Sequence, residues 1–255
     1  MSAVAKGRLY LVPAPLDFGC DHLAPLQDVM PMATIQVAAE LQHWICENAK
    51  STRAYLKRVG ELQLLKNQLQ ALQIQELPRE VHKKGDHTGN FDARPLLAAA
   101  LQGKDIGLVS EAGMPAIADP GSSVVRAAHD LGLQVVPLTG PMSLMLALAA
   151  SGLNGQNFAF VGYLPQDPPG RAQRIRELES LALKTGQSQI FIETPYRNAA
   201  LLQTLLQALQ GNTRLALSCG LTLNAAWNFS AQVSHWKKDK PIAPLDLPTV
   251  FCLGR

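Results

Sequence analysis

No CxxC pair occurs in this sequence, and its four cysteines, Cys20, Cys46, Cys219 and Cys252, lie far apart. That spacing argues against a cysteine-ligated zinc site and against a disulfide framework, and it suits a reducing compartment. Charge of one sign is scarce as well. The net charge is +3 over 255 residues, so no global field marks the chain as a nucleic-acid binder, and any RNA site is a local patch. Long apolar runs are missing. The longest, Leu144 to Ala150 with its neighbours, is too short to span a bilayer, and the short run between Lys6 and Arg8 and beyond is unlike a signal peptide. The expectation is a cytoplasmic protein with no membrane partner. The commoner α/β enzyme motifs are absent too. No GxGxxG follows a strand, and neither GxxxxGK[ST] nor GxSxG occurs, which removes dinucleotide, P-loop and hydrolase signatures.

What is present centres on Asp105 to Gly121, DIGLVSEAGMPAIADPG. Ile106 to Val109 is a short apolar run of the kind that fills a buried parallel strand. A loop with Gly113, Pro115, Pro120 and Gly121 follows, then a helix from Ser122 or Ser123 through His129. Glycine lets a ligand approach the main chain, and proline stiffens the loop. A strand, a rigid loop and a helix in that order build a ligand crevice at the carboxyl end of a parallel sheet, although the same pattern also serves as a plain tight connection. Val135 to Leu138 repeats the unit, ending in Thr139-Gly140-Pro141 before an apolar helix from Ser143 to Ser151.

Elsewhere the chain alternates in the same way. Strands are expected at Leu9–Val12, His43–Glu47, Phe158–Val161, Gln189–Glu193, Leu215–Cys219 and Thr249–Leu253, with further closing strand around Val233 and Trp236. Helices are expected over 32–42, 49–59, 61–77, 93–102, 171–183 and 195–210. Alternation of this kind implies α/β layers: a mostly parallel sheet in an N-terminal domain, residues 1–151, and a mixed sheet in a C-terminal domain, residues 156–255. The intervening Gly152 to Gly155 reads as a hinge. Two histidines, His82 and His87, stand in a polar loop over 79–90, but no carboxylate or cysteine partners them at ligand spacing, so no metal is expected. The basic candidates for phosphate contact are Arg53, Lys57, Lys83, Lys84, Arg171 and Arg174, although an isolated basic run is more often solvated surface.

Five ordered blocks carry a resemblance: LYLVPAP near the start, LVSEAGMPAIADPG, VVPLTGPMSLMLALAASGL, FVGYLP and IFIETPYR. Together they resemble the tetrapyrrole methylase superfamily, and within it the small-subunit ribosomal RNA methyltransferase I family. The resemblance runs from about Leu9 to Thr222. It implies a two-domain α/β methyltransferase that takes a methyl group from S-adenosylmethionine to a cytidine 2′-oxygen, acts on ribosomal RNA or the small ribosomal subunit, and forms a homodimer. It also implies a cofactor site. Ser110, Glu111, Ala112, Gly113, Met114, Pro115 and Asp119 would line one side, and Gly140, Pro141 and Ser143 a second. Gly162, Tyr163 and Leu164 would add contacts from the C-terminal domain, with Ser218 and Thr222 nearby. A ribose hydroxyl needs a base or a polarising partner, and Glu47 and Glu193 are the candidates.

Several charged positions depart from the family pattern. Its Ala-Glu-Asp-Thr-Arg is Cys46-Glu47-Asn48-Ala49-Lys50 here, and its Arg-Glu-Leu-Thr-Lys is Cys219-Gly220-Leu221-Thr222-Leu223. Two rival readings share the sequence: a methylase of the same fold acting on a small molecule such as a tetrapyrrole, and a non-catalytic RNA- or ribosome-associated homologue.

Overall fold

The computed structural model describes residues 5–84, 86 and 91–255, with only the backbone described at 82–84. The described chain divides into two compact units, essentially 1–141 and 142–255.

The first unit is built on five parallel strands: β1 (Arg8–Leu11), β2 (His43–Cys46), β3 (Gln73–Glu76), β4 (Ile106–Val109) and β5 (Gln134–Pro137). Their order across the sheet is β3-β2-β4-β1-β5. β4 is central and buried at all four residues, as its continuous apolar run requires. Alternation along β2 separates two cores. Trp44 and Cys46 pack with Val12, Ile35, Leu56 and Val59 on one face. Ile45 packs with Leu9, Leu97, Leu108 and Val124 on the other. Gly107 in mid-β4 is required by this packing, since a Cβ there would stand 2.6 Å from the Trp44 ring.

Helix Ala49–Leu62 follows β2. Its N-cap is Asn48, whose side-chain oxygen accepts from the backbone N–H groups of Lys50 and Ser51 at 2.9 and 3.4 Å. The helix ends at Leu62, three residues past the expected 59, and the separate helix expected over 61–77 does not form. Residues 73–76 instead form β3, whose alternate QIQE side chains are largely exposed at the sheet edge. The polar stretch expected as a loop contains a short helix, Arg79–Lys84.

The second unit carries β6 (Phe158–Tyr163), β7 (Ser188–Glu193), β8 (Arg214–Cys219), β9 (Trp227–Gln232) and β10 (Thr249–Gly254), in the order β6-β7-β10-β8-β9. Only the β6–β7 pair is parallel, so this sheet is mixed, as expected. The closing region differs in detail. β9 precedes Val233, and Val233–Asp239 is a helix whose Trp236 indole donates to the Leu215 carbonyl at 2.9 Å.

The division between units also falls earlier than the expected 151. Helix Ser143–Ser151 packs through Leu144, Ala147 and Leu148 on Ile190, Ala216, Val250 and Cys252 of the second sheet, so it belongs to the second unit. Among the described residues, no helix is long and apolar enough to cross a membrane.

Candidate functional site

Parallel strands bring their carboxyl ends to one edge of the first sheet, and the residues that follow β1, β2, β4 and β5 collect there. After β1 comes Pro13-Ala14-Pro15, after β2 Glu47, after β4 Ser110 and Glu111, and after β5 Thr139-Gly140. Three links hold these loops together. Ala14 and Gly113 exchange both backbone hydrogen bonds, each at 2.9 Å. Thr34 Oγ1 donates to the Thr139 carbonyl at 2.7 Å. Ser51 Oγ donates to Glu111 Oε1 at 3.0 Å.

Gly113 has φ +72°, in the left-handed region, and both its N–H and its C=O are engaged with Ala14. Its glycine identity therefore serves the junction of two loops. Gly140 is required for packing: a Cβ would lie 2.4 Å from that of Pro13. The loop between is contorted further, with Ala116 and Ala118 at φ +65° and +66°. Non-glycine residues adopt this conformation at a cost of about 1–2 kcal/mol each, and such costs concentrate at functional sites.

The chemistry of the edge is carboxylate-rich. Burial pushes Glu47 up to about 7, and the charges of Asp119 and Glu111 add to the shift, against a backbone hydrogen bond from Glu111. Glu47 Oε1 is buried and has no hydrogen-bond partner. Burial, then the charge of Glu111, raises Asp119 to about 6. Near neutral pH this group of acids holds a proton that a water-exposed set would release.

Asp86 is a site neighbour that local sequence did not disclose. It is 4% exposed and caps helix Ser122–Asp130, accepting from the N–H groups of Gly121 and Ser123 and from the hydroxyls of Ser122 and Ser123 at 2.5–2.9 Å. The helix thus has its N-terminal N–H groups met by a residue 35 positions upstream of Gly121.

The second unit places its expected residues as follows. Gly162 has φ +72° at a register shift in the β6–β7 pairing, with open space where a Cβ would stand. Tyr163 is exposed, whereas Leu164 is a core residue. Ser218 is buried in β8, and Thr222, at φ +73°, has a buried Oγ1 without a partner. Ser143 opens helix Ser143–Ser151 and is half-buried.

Glu193, the alternative base, is otherwise engaged. Its Oε1 accepts from the Thr194 N–H at 2.8 Å and from Arg197 at 2.8–2.9 Å, so the carboxylate anchors the turn after β7. Arg171 is withdrawn from any surface. It is 6% exposed, and its guanidinium donates to the carbonyls of Pro165 and Gln166 at 3.0 and 2.7 Å, which fixes the start of its own helix. Arg174 pairs with Glu177 at 3.3 Å. Arg53 and Lys57 are exposed on helix Ala49–Leu62. The side chains of Lys83 and Lys84 lie outside the described residues, as do those of His82 and His87.

A parallel sheet with an acid-bearing Gly/Pro loop, followed by a second, mixed α/β unit, is a two-unit α/β architecture. The Tetrapyrrole (Corrin/Porphyrin) Methylases family matches residues 33–226, and the chain belongs to it. Among curated relatives, the ribosomal RNA small subunit methyltransferase I of Mesorhizobium japonicum is 32% identical over 215 residues, 84% of this chain and 63% of the relative. The protein of the same name from Escherichia coli O157:H7 is 30% identical over 218 residues, 86% and 66%. That from Vibrio cholerae is 38% identical over 137 residues, 54% and 46%. The chain therefore spans about half to two thirds of the length of the relatives it matches. Among solved structures, uroporphyrin-III-C-methyltransferase from Thermus thermophilus has a TM-score of 0.53 at 18% identity, covering 98% of this chain and 94% of its own. A structure of that enzyme complexed with S-adenyl homocysteine gives 0.51 over 98% of each chain. These likenesses concern the two-domain fold.

Proposed function

We propose that the chain is an S-adenosylmethionine-dependent methyltransferase that acts on a cytidine 2′-oxygen of small-subunit ribosomal RNA. The observation that carries this reading is identity of 30–32% across more than four fifths of the chain to proteins named for that RNA. A structural neighbour complexed with S-adenyl homocysteine supports the cofactor. A reducing, cytoplasmic setting is supported by Cys46, Cys219 and Cys252, which are buried as thiols. A homodimer is carried over from the resemblance alone.

The residues present fit the cofactor. Glu47, Glu111 and Asp119 supply negative charge for a cationic sulfonium. The loop from Glu111 to Gly121 offers backbone in left-handed geometry at Gly113, Ala116 and Ala118. S-adenosylmethionine supplies a methyl group on an electrophilic sulfonium.

The chain's own work is positioning and proton transfer. Glu47 takes the proton of the ribose hydroxyl at Oε1, the oxygen that no protein group occupies. A pKa of about 7 suits a general base working near neutral pH. Glu111, tied to Ser51, holds the loop in place beside it. Arg53 and Lys57, exposed on the helix that follows Glu47, attract the RNA backbone.

The test is labelled methyl transfer from S-adenosylmethionine into a cell extract, fractionated into RNA and small molecules. Label in small-subunit RNA is expected. Label confined to small molecules would move the assignment to a tetrapyrrole-like acceptor.

A further inference from the structure

The loop after β1 and the helix after β2 line a half-open pocket of about 180 Å³ that meets the expected cofactor loop only at Ser110 and Glu111. Its walls include Asp17, Phe18, Tyr55, Arg58, Ser110 and Glu111. Two of these carry buried hydroxyls that bond to nothing in the protein: Tyr55, 6% exposed, and Ser110, 5% exposed. Buried polar groups are nearly always matched, so a pair of unmatched hydroxyls lining one cavity points to a partner that arrives from outside.

Size limits what that partner is. At ~30 Å³ per water the cavity has room for about six waters, whereas sites for drug-sized ligands run from roughly 300 Å³ upward. That is room for one heterocycle. Charge limits it further. The guanidinium of Arg58 is already committed, to Asp17 at 3.0 and 3.2 Å and to the Ala24 carbonyl at 2.6 Å. Asp17 in turn accepts from the Ala24 N–H at 3.1 Å. The pair is neutral overall and Glu111 adds a carboxylate, so the wall does not call for a phosphate. Its unused hydrogen-bonding capacity is the two hydroxyls, each able to donate and accept. Phe18 adds an aromatic face that is 46% exposed. Neutral donor-acceptors and a ring face are how proteins hold an unstacked base of single-stranded RNA.

We propose that this cavity receives the base of the acceptor nucleotide, a single pyrimidine swung out of the RNA, with the hydroxyls of Tyr55 and Ser110 meeting its polar edge and Phe18 lying against its face. The inference rests on the RNA reading above. It explains a wall shared with the chemistry: Glu111 lines the pocket, and its backbone N–H donates to the Glu47 carboxylate. A base seated here lies against Glu111, the residue that links the pocket to Glu47. Ser110, which the sequence assigns to the cofactor loop, thereby serves the acceptor instead.

The experiment is steady-state methyl transfer to unmodified, in vitro-transcribed small-subunit ribosomal RNA by the wild type, Tyr55→Phe, Ser110→Ala and Phe18→Ala. Cofactor affinity is measured alongside by calorimetry. Each hydroxyl variant is expected to raise KM for the RNA by about tenfold, and Phe18→Ala by roughly tenfold or more, with cofactor affinity unchanged. A role confined to packing would lower Tm and leave KM per folded molecule alone. If Tyr55→Phe fails to fold, Phe18→Ala at the cavity mouth gives the same readout. Wild type that labels the RNA while the variants keep its KM overturns the pocket alone. Wild type that leaves the RNA unlabelled overturns the RNA reading and the pocket together.

Discussion

Ser51 Oγ donates a hydrogen bond to Glu111 Oε1 at 3.0 Å, joining the first turn of helix Ala49–Leu62 to the loop after β4. The bond holds a carboxylate where its charge acts on two others. Burial is the largest cause of the raised pKa of both Glu47 and Asp119, and Glu111 contributes to each. Glu111→Gln is therefore expected to lower both. The acid limb of the methyl-transfer rate should move to lower pH, by less than the burial of Glu47 raises it, since the Glu111 charge is a secondary cause. A pH–rate series on the variant checks this, and an unmoved limb would separate Glu111 from the base.

Stability should carry the mark of Glu47 as well. Its folded pKa, about 7, lies above the ordinary carboxylate value, so the folded state binds the proton more tightly than the unfolded chain. Stability from this group is present below its unfolded pKa and is lost as pH rises through about 7. Glu47→Gln, which stays neutral, should be the more stable protein at pH 8 by about 1–3 kcal/mol, a range reduced for the residue's partial exposure. At pH 4 the difference should vanish. Urea unfolding at the two pH values reads it directly.

Asp86 has the opposite sign. Burial opposes its charge, but hydrogen bonds from Ser123, Ser122 and Gly121 outweigh that and hold its pKa below the usual aspartate value. Its contribution is present above the unfolded pKa and is lost as pH falls through the folded one. Asp86→Ala should cost about 1–2 kcal/mol at pH 7 through the lost cap of helix Ser122–Asp130, and less in acid. Denaturation at pH 7 and pH 3 measures both. An equal loss at the two values would mean that packing, not the cap, is what the variant removes.

How much of this was legible in the sequence follows from which interactions are local. The β4 run and its Gly/Pro loop were readable because a buried parallel strand is continuously apolar and its loop uses residues with restricted or unusual backbone angles. β3 was not. Its QIQE sequence lies at a sheet edge with side chains largely in solvent, so no buried stripe of period two exists to be seen, and the Gln/Leu-rich run before it looks helical. Arg171 read as a phosphate contact because nothing in its neighbours discloses that its guanidinium closes on Pro165 and Gln166. Asp86 and the pair Asp17–Arg58 act across 35 and 41 residues, a separation that spacing along the chain does not encode. Glu47 was singled out by resemblance, and the structure adds its physical distinction, a buried oxygen left without a partner. Glu193 looked equivalent until its ion pair with Arg197 was in view.

The most direct test of the whole reading is single-turnover methyl transfer from labelled S-adenosylmethionine to unmodified small-subunit ribosomal RNA, followed from pH 5 to pH 9 with wild type and Glu47→Gln. The expected result is label on a cytidine 2′-oxygen, with a wild-type rate that climbs through about pH 7 as Glu47 ionises. Glu47→Gln should be slower by ~10²–10⁴-fold and lack that limb. RNA that stays unlabelled, or a variant that matches wild type at every pH, would contradict it.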